Sequence, residues 1–110
     1  QRTNIMAKVK LVLTASPSFR SKVGIPVPGS KPVEVEFTFK GRTREQFKEF
    51  VDALAGMEDA DAIMGLASGW ELDDPFTREN VALLVDNYLG AARVIIEKYF
   101  AELTQARLGN

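Results

Sequence analysis

The seven residues from Val33 to Phe39 alternate strictly between apolar and polar side chains. The apolar residues share one face of an extended chain: Val33, Val35, Phe37 and Phe39. A period of two predicts a β-strand in a sheet with one packed face and one solvent-exposed face. The chain must therefore contain a sheet and must supply other elements that cover its apolar face.

Two upstream segments are candidate partner strands. The run from Lys8 to Leu13 alternates between charged and apolar residues before becoming fully apolar, which predicts a strand that pairs with Val33–Phe39. Ala15 to Pro32 is rich in proline, which excludes a helix and disfavours a central strand. Within it, Val23–Val27 is predicted as a short edge strand at most.

Two helices are predicted to follow the strand. Thr43 and Gln46 have the spacing of a capping box, and Gly56 marks the end of that helix. One face of it carries Phe47, Phe50, Val51 and Leu54. A shorter helix is predicted over Asp59–Ala67. Trp70 follows in a loop, where we expect it to anchor the core or, alternatively, to contact a partner.

The last third of the chain predicts two further amphipathic helices joined by a short hinge. Thr77 is the expected N-cap of the first, the hinge spans Asn87–Gly90, and Gly109 is the expected C-cap of the second. Apolar residues recur at steps of three and four: Val81, Leu84, Val85 and Tyr88, then Ala92, Ile95, Ile96, Tyr99 and Leu103.

These elements predict an α+β fold, with a small antiparallel N-terminal sheet followed by about four α-helices. The 110 residues suffice for a single domain, which we place at residues 6–110. Met6 followed by Ala-Lys-Val-Lys has the character of a natural start, so we interpret residues 1–5 as a tag or a disordered N-terminus.

Composition argues against most enzymatic chemistry. The chain has no cysteine and no histidine, which rules out a disulfide framework and any metal site or nucleophile built on those residues. Only the Asp73/Asp74 pair suggests a metal-dependent enzyme, but its spacing fits no calcium loop. We therefore expect no enzymatic activity and no cofactor.

Membrane and nucleic-acid partners are also not expected. No apolar run approaches the ~20 residues that cross a bilayer. The basic residues of the N-terminal half alternate with acids and prolines rather than lining one helix face.

Charge is divided unevenly along the chain. Residues 1–50 carry a net charge of +6 and residues 51–110 a net charge of −7. Such polarity can orient a charged partner or steer head-to-tail association. Together with the apolar C-terminal stripes it predicts reversible self-association, as dimers or small rings.

The order of several short motifs resembles a family of phage tail assembly chaperones, small proteins encoded in the tail modules of long-tailed phages and prophages. The segments that carry the resemblance are Ser18-Phe19, Ile25–Gly29, Val33–Phe39, Arg42–Arg44, Gly69–Leu72, Pro75–Asn80, Asn87–Ala92, Tyr99 and Leu103–Asn110. The resemblance implies a non-enzymatic protein that binds the tape-measure protein and helps recruit tail-tube subunits. It also implies a cytoplasmic location in the bacterial host and absence from the mature virion. A structural tail component, such as a tube or tail-completion subunit, is the alternative.

A chaperone for helical segments needs exposed apolar stripes at helical spacing. We expect the partner to bind the last helix at Ile96, Tyr99, Phe100 and Leu103, with the Trp70 loop as the next candidate. Packing of the same stripe within the monomer core or a homo-oligomer is the competing explanation.

Overall fold

The computed structural model describes residues 8–14 and 16–104. In chain order its elements are β1 (Ser18–Ile25), β2 (Val33–Lys40), α1 (Arg44–Leu54), α2 (Asp59–Leu66), β3 (Ala67–Trp70), α3 (Arg78–Asn87) and α4 (Ala91–Thr104). The three strands form one antiparallel sheet in the order β1-β2-β3. The predicted α+β class and the four helices are confirmed.

The strand β2 lies at the centre of the sheet, as its alternation requires. It pairs along its whole length with β1, from Ser18 opposite Lys40 to Ile25 opposite Val33. On its other side it pairs with β3, with an irregularity between Thr38 and Phe39. Along β2 the apolar face is buried except at Val33, where the strand begins.

The predicted strand over Lys8–Leu13 is wrong. These residues form no strand with the other described residues, and Val9, Leu11, Val12 and Leu13 are 78–93% exposed. The partner of β2 is instead Ser18–Ile25, inside the proline-rich segment. Its prolines flank the strand, at Pro17 and Pro26, so none removes a hydrogen bond from within it. With β1 and β3 on its two sides, β2 has no free edge for Lys8–Leu13.

The hydrophobic core lies between the apolar face of the sheet and the helices α2, α3 and α4. Its most deeply buried large side chains come from every layer: Phe37, Phe39, Ile63, Leu66, Val81, Ile95 and Tyr99. The first helix contributes only Phe50 to this core. Its remaining apolar residues are therefore only partly covered or exposed.

The predicted helix starts are confirmed. The hydroxyl of Thr43 accepts from the backbone N–H of Gln46, whose side chain accepts from the backbone N–H of Thr43. Thr77 likewise caps α3 through the N–H of Asn80. The expected hinge lies between α3 and α4, whereas the expected C-cap at Gly109 lies outside the described residues.

The short strand β3 was not predicted. The sequence suggested helix to Ala67 and then a loop, but the helix ends at Leu66 and Ala67–Trp70 pairs with β2. Gly69 lies opposite Thr38 in this pairing, next to the irregular part of the ladder.

Candidate protein-binding surfaces

The outer side of α4 carries three of the predicted partner-binding residues. Ile96, Phe100 and Leu103 are half-buried, and Phe100 packs edge-on against Phe47 of α1 with ring centroids 5.5 Å apart. A shallow cavity of about 450 Å³ lies on one side of α1 near Phe50, and another of about 350 Å³ lies between Phe47 and Leu103. We call Phe47, Ile96, Phe100 and Leu103 the α1–α4 patch.

Tyr99, the fourth predicted residue, lies beneath this patch rather than on it. Its side chain is fully buried, and its ring packs against Phe19, Phe39 and Phe50 at centroid distances of 5.5–6.3 Å. In this conformation Tyr99 therefore offers no surface to a partner. It supports the patch from within, because its ring packs against that of Phe100 with the two centroids 6.2 Å apart.

The hydroxyl of Tyr99 belongs to a small polar network that joins four elements. It donates to the carbonyl oxygen of Lys40 and accepts from Arg42 Nη1, both at 2.8 Å. The other terminal nitrogen of Arg42 donates to the carbonyl of Gly65 at 2.8 Å, and the guanidinium lies 4.2 Å from the centroid of the Phe50 ring. This network connects α4 to the end of β2, to α2 and to α1.

Trp70, the next predicted candidate, lies at the other end of the sheet. Its indole N–H donates to the carbonyl oxygen of Asp74 at 2.7 Å, and its ring packs edge-on against Phe76 and Phe37. Trp70 therefore packs on the core and also lines a surface groove, while its contact with a partner stays a prediction.

This groove lies between the sheet and α3 and has a volume of about 470 Å³. Its apolar lining includes Ile25, Val33, Trp70, Leu72, Leu83 and Tyr88. Four of these remain considerably exposed, with Leu83 at 58% and Val33 at 50%. We call it the α3 groove. Sequence periodicity could not find it, because its residues come from three strands, α3 and the adjoining loops. Of these residues, the sequence pointed to Trp70 as a possible partner contact.

The helices α2 and α3 are also joined by a surface ion-pair group. Arg78 Nε lies 2.7 Å from a carboxylate oxygen of Asp61, and Arg78 Nη2 lies 3.2 Å from Glu58. The hydrogen bond that Arg78 donates and its positive charge lower the pKa of Asp61, and the same hydrogen bond to the Asp61 carboxylate raises the pKa of Arg78. The group fixes the start of α3 against α2.

The Asp73/Asp74 pair does not assemble a metal site with other residues. Among residues 8–14 and 16–104, no three carboxylate, histidine or cysteine side chains lie close enough to hold a metal ion. Within the same ranges no helix has the length and apolarity needed to cross a membrane.

A family model described as phage tail assembly chaperone matches residues 6–110. The chain belongs to this family. No curated protein and no solved structure matches the chain. In a tail assembly chaperone, the two exposed apolar surfaces, the α1–α4 patch and the α3 groove, are the places to look for protein partners.

Proposed function

We propose that this protein is a non-enzymatic tail assembly chaperone that binds the tape-measure protein through the α1–α4 patch. By this proposal it also helps recruit tail-tube subunits, acts in the cytoplasm of the bacterial host and is absent from the mature virion. The observation that carries the choice of surface is the set of half-exposed apolar side chains on two neighbouring helices.

The patch has the character of a site for a helical segment. Phe100 and Leu103 lie on one side of α4, and Phe47 extends the apolar surface onto α1. An amphipathic helix binds such a surface by laying its own apolar stripe along it. Since α1 buries only Phe50 in the core, its half-exposed face remains available to such a helix.

The charged residues around the patch favour reversible binding. Arg42 and Arg44 line the cavity beside Phe47. Charges at a rim contribute more to association rate and orientation than to affinity. A chaperone must release its client during assembly, and a small apolar patch with a charged rim is suited to that.

The test is Phe100→Ala, assayed by co-purification and titration with a tape-measure fragment. Truncating an aromatic anchor at an interface costs about 2 kcal/mol or more, so the affinity should fall roughly thirtyfold. Because Phe100 is only half-buried, its loss should cost less than the ~3–5 kcal/mol of a core phenylalanine. Leu89→Ala, an exposed apolar truncation in the turn between α3 and α4 and outside both surfaces, is the matched control and should bind normally.

Circular dichroism melts of both variants establish that binding is measured on folded protein. If folded Phe100→Ala binds the fragment as well as wild type does, the patch is not the site. Detection of the protein in purified virions by mass spectrometry would instead favour a structural tail component.

A further inference from the structure

The segment of residues 8–13, which we call the N-terminal arm, has the sequence of a strand but pairs with no strand among residues 16–104. Its four apolar side chains, Val9, Leu11, Val12 and Leu13, are 78–93% exposed. A concentration of exposed apolar residues on one short segment usually marks an interaction site. The arm also carries two exposed cations, Lys8 and Lys10.

The α3 groove has the complementary character. Among the residues that the structure describes, those lining the groove are apolar apart from Asn80, Asn87 and one carboxylate, Asp74. None of them is a cation. Glu71 and Asp73 are exposed on the same loop as Leu72, so the side formed by that loop is acidic. An apolar segment bearing lysines therefore matches the groove in both hydrophobicity and charge.

In the structure the arm does not fill the groove of its own chain, since its apolar side chains are 78–93% exposed. The arm leaves the sheet at Pro17, whose carbonyl oxygen accepts from the N–H of Gly41 at 3.0 Å and so continues the β1–β2 ladder. The groove lies towards the other end of this ladder, where its residues Ile25 and Val33 pair with each other.

We propose that the N-terminal arm of one copy docks in the α3 groove of a second copy. The arm and the groove are different surfaces at opposite ends of the sheet, so the contact is head-to-tail. Contacts of this kind generate rings when the rotation closes and open filaments when it does not. The proposal is independent of the client surface, since neither the arm nor the groove includes a residue of the α1–α4 patch.

The experiment uses two variants of the full chain, Leu11→Asp in the arm and Leu83→Asp in the groove. Both positions are exposed, at 80% and 58%, so both variants should fold, which circular dichroism melts verify. Sedimentation velocity over a range of concentrations should show association of wild type. Each variant alone should associate at least tenfold more weakly.

Mixing the variants is the decisive step. Leu11→Asp retains an intact groove and Leu83→Asp retains an intact arm, so the mixture should form one-to-one heterodimers that do not grow further. Phe100→Ala is the control and should associate like wild type. A wild type that stays monomeric at all concentrations, a variant that alone associates like wild type, or a mixture that forms no heterodimer would each overturn the proposal.

The absence of cysteine from the chain allows a positional check. Leu11→Cys mixed with Leu83→Cys should give a disulfide-linked dimer under mild oxidation, whereas Leu11→Cys mixed with Ala101→Cys, an exposed site on α4, should not. Equal cross-linking in both mixtures would mean that the arm does not select the groove.

Discussion

The role of Tyr99 can be tested by removing a single oxygen atom. In Tyr99→Phe the ring and its packing are kept, but the carbonyl of Lys40 loses its donor and Arg42 Nη1 loses its acceptor. A buried hydrogen-bond donor or acceptor that loses its partner group lowers the free energy of unfolding by about 1–3 kcal/mol, and by more where the group is charged. Both partners are here only partly shielded from water, so we expect a loss of about 2 kcal/mol.

The loss should be measured by urea denaturation and by thermal melting. For a domain of about this size, 1 kcal/mol corresponds to roughly 4–8 °C, so Tyr99→Phe should melt roughly 10 °C lower than wild type. Tyr88→Phe is the matched control, because Tyr88 is 36% exposed, and it should change stability by less than about 0.5 kcal/mol. Equal stability of the two variants would refute the importance of the polar network.

Two further predictions concern the root of the arm and the start of α3. Gly41→Ala should destabilise the protein by more than about 1 kcal/mol in urea denaturation, since a Cβ there would lie 1.7 Å from the carbonyl oxygen of Ser16. Gly56→Ala is the control and should be tolerated, because the nearest atom to its added Cβ would be 3.9 Å away. Similar losses of stability for the two variants would contradict the steric argument. Arg78→Ala should cost little. Because Arg78 lowers the pKa of Asp61 in the folded state, the contribution of the ion pair is fully present above the ordinary carboxyl pKa and is lost as the pH falls through the folded value. The stability difference between Arg78→Ala and wild type should therefore shrink on acidification, and a difference that does not shrink would exclude this origin.

Local signals in the sequence were sufficient for part of the fold. The alternation of Val33–Phe39 and the caps at Thr43 and Thr77 involve residues within a few positions of one another, and all three were predicted correctly. The choice between Lys8–Leu13 and Ser18–Ile25 as the partner of β2 depended on competition between two segments for the same edge. Their strand propensities alone did not indicate which would win.

The candidate surfaces could likewise be predicted only in part from local sequence. Helical spacing placed Ile96, Phe100 and Leu103 together on α4, but it could not show that Tyr99 turns inward to Lys40 and Arg42, which are more than fifty residues away. The α3 groove depends on four elements meeting at one end of the sheet. Its shape is a property of the tertiary structure, so no single stretch of sequence could predict it.

The contact between Phe19 and Tyr99 has a consequence for how the chain folds as it is synthesised. These two rings are eighty residues apart in sequence yet stack with centroids 6.3 Å apart. During translation, β1 and β2 leave the ribosome well before α4, and until then their apolar face has no complete cover. Long-range closure of this kind slows folding and leaves apolar strands transiently exposed. In the newly made chain, Phe37 and Phe39 therefore stay partly uncovered until α4 has been synthesised.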